Sequence, residues 1–466
     1  MDQRLKKNTY IEELCDFVVA CGREKIPDDV RHKASLYILD TLGVAVANSP
    51  RNYVRAYAGT IENTVVRGAA TAIGFSQRYA AEGAAAINST AIHGNDFDAT
   101  HRESIMHPCA VVIPVALAVA EEVGSDGSEV LSAIVAGFEV LIRMGLATRG
   151  AMHWAGFQGT ALCAPVVLTM VAGRLYGMPR EQIVSATGLS TAVAAGLRSF
   201  KDDGTWGKRI ITGWSCRTAL MATALARSGY PGSRDALEKQ VDGFYRSFLP
   251  SGQYDLTELT KGLGAEWVTC DVEIKRYPCT HGLHTFINTA RRAKKELDLQ
   301  PEQIASVTVH VSAEAASWWF EPRERKYTLP HAYGARFSFP YAVALAFVFG
   351  DVVDEYLESK KFLDDPRVRE LVPRINPRVD SSLSHFNPNL LPGTLEIAAT
   401  DGRTVMFKGT GLDTGKDVEN ETLEKFRLNT RSTLSEEAAA ELIALTRGVA
   451  AQSDVRKIMA LLRPTQ

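Results

Sequence analysis

The stretch AVVIPVALAVAEEVGSDGSEVLSAIVAGFEVLIRMGLAT, residues 110–148, decides the fold class. From Ala110 to Glu122 apolar side chains recur at three and four residue spacing, a glycine-bearing break follows, and the pattern resumes from Gly127 to Thr148. Helices apolar around most of their circumference belong inside a bundle, buried on several sides. Worked outward, the same pattern predicts helices over 12–21, 28–47 and 81–93 upstream and over 161–176, 180–194 and 213–226 downstream. Alanine runs such as Ala84 to Ala86 allow such helices to approach closely. The texture changes after about residue 263. Beta-branched residues cluster over 268–275 and 304–311, and the segments 394–399 and 404–408 flank the turn Asp401-Gly402, so strands with antiparallel pairing at the hairpin are expected. Helices over 285–297 and 337–349 fall between them, and helix returns at 435–447 and 453–462. The fold class expected is therefore mainly α, a large all-helical part with a smaller α+β part. Spacing leaves open which part the last helices join.

Bulk properties fit this picture. A chain of 466 residues exceeds what one hydrophobic core organises, so two domains are expected. The formal net charge of −2 gives no field favouring nucleic acid or an anionic membrane, so neither is expected as a partner. The longest apolar runs, 111–120 and 341–349, reach about half the length a bilayer requires. The seven cysteines are odd in number and contain no C-x-x-C pair, which argues against a disulfide framework or structural zinc and fits a reducing cytoplasm. The charged stretch from Met1 to Glu13 lacks an apolar core and cleavage site, so a cytoplasmic location is expected.

Three polar clusters interrupt the apolar pattern. The first runs from His93 through Asn95, Asp96, Asp98, Thr100, His101, Arg102 and Glu103 to His107, between two apolar helices. A loop of this composition is either solvated as a helix cap or lines a cavity. His107 is the expected proton carrier, with Asp96 or Thr100 fixing its tautomer and holding a substrate carboxylate. His93, Asp96, Asp98, His101 and His107 also supply nitrogen and oxygen ligands, but no His-Glu-x-x-His helix accompanies them, and no metal is expected. The second cluster places Lys208 and Arg209 among glycines ahead of Gly213, at the head of a predicted helix. It reads either as an anion cradle or as a solvated basic turn. The third, Lys275 through Cys279 to His281 and His284, lies where a strand runs into a helix, at a domain junction. Cys279 is a weak nucleophile candidate without a visible histidine and oxyanion arrangement.

Five segments in register carry a family resemblance: HGNDFDATHRESIMHP from His93, WAGFQGTALCAP from Trp154, GKRIITGWSCRTALMA from Gly207, KRYPCTHGLH from Lys275 and ARFSFPYAVALAFVFGD from Ala335. Together they resemble the MmgE/PrpD family, which includes 2-methylcitrate dehydratase, cis-aconitate decarboxylase and iminodisuccinate epimerase. The resemblance implies a large helical domain over 1–269 and 406–466 and a lid domain of chorismate-mutase-like topology over 270–405. It implies a site built from Asp96, Thr100, His107, Lys208 and Lys275 with His281 or His284. It also implies a homodimer, no metal or organic cofactor, and a small di- or tricarboxylate substrate. Lysines would neutralise substrate carboxylates and lower the cost of an enediolate-like carbanion while His107 or a lysine moves the proton.

One departure bears on the reaction. Many members have histidine where Gly156-Phe157 is here followed by Gln158, which can orient but not protonate, and His153 is the nearby substitute. Losing an acid weakens both dehydration and decarboxylation. Epimerisation needs only two groups on opposite faces of one carbon, and Lys208 or Lys275, His107 and Tyr341 would suffice, with Arg209 and Arg276 as neighbouring cations. The expectation is a cofactor-independent epimerase or racemase of an amino- or imino-dicarboxylate. The alternatives are a 2-methylcitrate-type dehydratase, a cis-aconitate-type decarboxylase, or a non-catalytic member that binds polycarboxylates.

Overall fold

A computed structural model describes residues 8–383, 390–409 and 417–464. Its helices begin and end where local chemistry requires. Thr9 and Glu12 form a reciprocal cap on Tyr10–Ala20, Asp126 accepts from Glu129 N–H to open Gly127–Leu146, and Gly124 at φ +73° closes Pro108–Val123. Ala81–His93, Pro108–Val123, Gly127–Leu146 and Gly159–Leu175 bury nearly all of their residues, as their all-round apolarity predicts, and Asp28–Asn48 does so beyond its charged first turns. The long helix Gly207–Arg227 crosses Ala81–His93 so closely that a Cβ on Gly213 would lie 2.6 Å from the Ala86 carbonyl oxygen. These helices share one hydrophobic core. Phe426, Leu442, Ile458 and Met459 belong to it too, so the C-terminal helices return to the large core.

A second core is organised by a four-stranded sheet in the order Ile375–Val379, Ile304–Val311, Leu395–Ala399, Thr404–Phe407. The first pair is parallel and the others antiparallel, with Val307 opposite Ile397 and Ala398 opposite Thr404 across the hairpin. His284–Leu297 and Phe339–Phe349 pack with this sheet in the same core. The protein is thus mainly α with a small α+β part. No described helix is long and apolar enough to cross a membrane.

Two expectations need correction. The segment 268–275 is not a strand of the small sheet. It forms a 3₁₀ turn, Val268–Asp271, and a two-residue strand, Val272–Glu273, paired antiparallel with Thr100–His101. The large core captures its backbone: Thr269 N–H and Oγ1 donate to Glu139 Oε1 at 2.8 and 2.6 Å, and Tyr37 Oη donates to the Thr269 and Val272 carbonyls. Specific hydrogen bonds override the strand propensity of Val268, Thr269 and Val272. Secondly, the helix expected from Gly213 begins at Gly207, so Lys208 and Arg209 occupy its first turn rather than a preceding loop.

Candidate active site

The loop between Ala81–His93 and Pro108–Val123 is held in an unusual backbone conformation. Asp96 and Ile105 sit at φ +54° and +57°, in the left-handed region that residues other than glycine rarely enter and β-branched ones least of all. Several elements fix it. Lys208 Nζ donates to Asp96 Oδ1 at 2.9 Å, and Lys275 Nζ donates to the same oxygen at 2.6 Å and to the Asp96 carbonyl at 3.0 Å. Arg336 Nη1 donates to the Asn95 carbonyl, and Lys425 Nζ, paired with Asp40 at 2.7 Å, donates to the Phe97 carbonyl. Ile105 inserts into the small core. Burial alone would raise the Asp96 pKa, but Lys208, Lys275 and His107 outweigh it and hold the carboxyl well below its usual range.

Beside this cluster, Asp98 Oδ2 lies 3.0 Å from both His93 Nδ1 and His107 Nδ1. An ionised carboxylate only accepts, so both Nδ1 atoms carry the hydrogen and each Nε2 is left with its lone pair. Thr100 Oγ1 sits 3.2 Å from His107 Nδ1, and His107 N–H donates to Thr160 Oγ1 at 2.9 Å. Burial lowers the His107 pKa, with Lys275 and Lys208 adding to it and Asp98 opposing, so the ring is neutral at pH 7. A neutral imidazole with a fixed Nδ1–H and a free Nε2 is a competent general base. Asp98 stays ionised against its burial because of the two rings. His93, Asp98 and His107 are also the described residues whose ligand atoms gather within 4.8 Å. Their shared hydrogen bonds account for that gathering, and the lysine pair beside them disfavours a cation, so we assign no metal there.

These groups open onto a cavity with about 80 Å³ available to the centre of a water molecule. One bound water needs about 10–15 Å³ by this measure, so the space suits a few waters or a small metabolite rather than a nucleotide. Of the expected residues, Asp96, Thr100, His107, Lys208 and Lys275 line it, joined by His153, Gln158 and His281. The Gln158 side-chain oxygen Oε1 caps Gly159–Leu175 by accepting from Ala161 N–H at 2.8 Å. Burial, with Arg198 adding, pushes His153 well below 6.5, and His281 is lowered likewise by burial and Lys275.

Three expected residues are elsewhere. Tyr341 is buried within the small core, on a helix apolar all round, where Arg369 and Asp364 are its charged neighbours. Arg209 is stacked on Tyr53, Trp206 and Tyr333 and donates to Glu358 Oε1 at 2.6 Å. There it joins Arg51 and Arg336 in a salt-bridge network with Asp354 and Glu358 that ties the two cores together. His284 lies beside His281, ring centroids 4.7 Å apart, with its Nε2 buried and without a hydrogen-bond partner among the described residues. Burial raises the Cys279 thiol to about 12, so it is not a nucleophile. Sequence reading missed Ile105, Arg198, Lys201, Trp318 and Trp319, which also line the cavity. The run Arg198-Ser199-Phe200-Lys201 and the Trp318-Trp319 pair were the available signals.

The two-core helical architecture thus brings the Asp96–Lys208–Lys275 cluster and the Asp98–His107 pair together at one small cavity. Residues 12–257 match the MmgE/PrpD N-terminal domain and 277–449 the MmgE/PrpD C-terminal domain; the chain belongs to the MmgE/PrpD family, whose members are enzymes. It is 26% identical to a cis-aconitate decarboxylase-like protein of Aspergillus oryzae, over 97% of this chain and 96% of that protein. It is 26% identical to cis-aconitate decarboxylase of Aspergillus terreus, over 98% and 96%, and 24% identical to the human cis-aconitate decarboxylase, over 94% and 91%.

Proposed function

We propose that this protein is a cofactor-independent enzyme that moves a proton at the carbon next to a carboxylate of a small polycarboxylic acid. The observation that carries the reading is the neutral, Asp98-tethered His107 beside two lysines that share the single carboxylate of Asp96. His107 Nε2 removes the proton. Lys208 and Lys275, both buried, stabilise the negative charge that develops on the substrate carboxylate, where screening is weaker than in bulk water. Asp98 steadies the imidazolium and Thr100 holds the ring. His281 and His153, neutral at pH 7, are candidates for orienting the substrate or returning a proton.

Within this chemistry the leading reading is epimerisation of an amino- or imino-dicarboxylate, because Gln158 serves as a helix cap and brings no acid for a leaving group. The second reading is a lyase of the cis-aconitate decarboxylase or 2-methylcitrate dehydratase type, favoured by the full-length similarity to cis-aconitate decarboxylases. Incubation in deuterium oxide with iminodisuccinate, cis-aconitate and 2-methylcitrate separates them. An epimerase exchanges the hydrogen and inverts the centre without new ultraviolet absorbance; a lyase releases carbon dioxide or forms a conjugated alkene. Neither result with any of the three would sink both readings.

A homodimer is part of the proposal. Ile210, Trp214 and Met221 lie four and seven residues apart on the helix that carries Lys208, each 44–57% exposed, and form an apolar stripe suited to a second copy. Trp214→Glu should then convert a dimer to a monomer by light scattering; an unchanged mass would remove this face as the interface. The unpaired cysteines fit a cytoplasmic setting.

A further inference from the structure

We infer that Arg198 and Lys201, grouped on the indole of Trp318, form a second anion subsite that takes the substrate carboxylate farthest from the reacting carbon. This rests on reading the cavity as the site of proton transfer and assigns the residues that select among acids there.

The argument begins with charge. Four cationic residues line the cavity, Lys208, Lys275, Arg198 and Lys201, against the one carboxylate of Asp96. That carboxylate is already shared by Lys208 and Lys275. Arg198 spends one donor on the His153 carbonyl at 2.9 Å and lays its guanidinium 4.7 Å from the centre of the Trp318 ring. Among the described residues no carboxylate pairs with it; Asp202 is the one acidic neighbour it feels, and burial holds it down at about 10. Lys201 Nζ lies 5.8 Å from the same ring and 4.0 Å from Asp202, which is half exposed. Burial and Arg198 depress Lys201 to about 8. Beneath them the buried Lys326 donates to the Lys201 carbonyl at 3.0 Å and is itself depressed to about 7 by burial and Lys201.

Burying cations without partners opposes folding. Lys326 is buried and Arg198 and Lys201 are partly covered, and their clustering is rational if an anion completes the site, since a bound carboxylate would accept the remaining guanidinium donors and relieve the repulsion among the three. The indole underneath restricts the guanidinium and presents its free edge. Arg198 and Lys201 come from the segment entering the short helix Phe200–Asp203, while Trp318 belongs to the small core, so the subsite is complete only where the two cores meet. A monocarboxylate would satisfy the lysine pair and leave this group empty.

Isothermal titration of the full chain with succinate and with propionate tests the inference. Succinate should bind far more tightly than propionate. Arg198→Gln and Lys201→Gln should each weaken succinate by roughly tenfold or more and change propionate by less than about twofold. Arg198→Lys should recover part of the loss, and the thermal midpoints of both Gln variants should match or exceed that of the parent because one of three mutually repelling cations has been removed. Equal binding of the two acids by the parent overturns the inference. So does an equal effect of Arg198→Gln on both acids, or a fall in midpoint with no selective loss of succinate. His107→Asn should keep its succinate affinity. Failure of hydrogen exchange in the parent sinks the proton-transfer reading, while the succinate and propionate titrations judge the subsite independently.

Discussion

Around Asp96 the charge of the cavity lining is paired: two lysines meet one carboxylate, two histidines meet another, and backbone carbonyls are held by Arg336 and Lys425. Around Trp318 it is not, for Arg198 and Lys201 gather with Lys326 against little more than a half-exposed Asp202. Both parts are cationic, but Asp96, Lys208 and Lys275 are buried whereas Arg198 and Lys201 are only partly covered. The paired part fixes tautomers and orientations before substrate arrives, as transition-state stabilisation requires. The unpaired part gains its partner only on binding, as recognition requires. Catalysis and selection are thereby assigned to different residues of one small cavity.

The largest effect should come from removing the base on the paired side. His107→Asn should reduce turnover by roughly 10²- to 10⁴-fold with substrate affinity nearly unchanged, measured as the rate of deuterium incorporation. A loss of less than tenfold would move the base to another residue. Next in size is Asp96→Asn. It leaves Lys208 and Lys275 buried without their shared carboxylate, and breaking a buried pair from one side costs about 3–5 kcal/mol. The denaturant midpoint should fall accordingly, and Lys275→Met on the same background should recover part of it. If Asp96→Asn were as tolerant as Arg198→Gln, the distinction between the two parts would collapse.

The paired part also carries a pH signature. Burial lowers His93 and His101 to about 4 and depresses His107, His153, His281 and His284 in the same direction. With folded values below the unfolded value near 6.5, the unfolded chain binds more protons between about pH 4 and 6.5, so stability rises with pH across that window and is lost as pH falls through it. Lys326 acts in a separate, alkaline window: its folded value of about 7 lies below its unfolded 10.5, so stability also rises with pH between these values. Thermal midpoints from pH 4.5 to 8 should increase in two stages, the acid one larger because six groups contribute, and above pH 8 the rise is opposed because burial holds thiols such as Cys15 and Cys279 protonated. A flat profile below pH 6.5 would mean the histidines are not buried neutral.

How much of this was legible in sequence follows from which interactions are local. Helical periodicity disclosed the bundle, and the polar loop from His93 to His107 stood out because such residues between all-round apolar helices need a partner. Pairings across the chain were not visible. Lys208 and Lys275 could be named as cations, but not that one Asp96 oxygen holds both across 112 and 179 residues. The same distance effect misread Val268–Lys275, whose strand-like residues are captured by Glu139 and Tyr37. Arg198 and Lys201 escaped because two basic residues in a short loop look solvated until Trp318, more than a hundred residues away, is placed beneath them.

The smallest expected effect tests that lesson at Tyr341, which sequence reasoning placed among the proton carriers. Its ring is 2% exposed inside the small core, on Phe339–Phe349, while the cavity is lined from other elements. Burial, with Asp364 adding, raises its pKa above 10, which disfavours the phenolate a relay would need. Tyr341→Phe keeps the packed ring and removes only the hydroxyl, so deuterium incorporation should stay within about twofold of the parent and stability within about 1 kcal/mol. A tenfold loss of exchange with intact folding would mean that the small core moves to bring this tyrosine to the substrate, and the division of labour between the Asp96 and Trp318 groups would then need a third member.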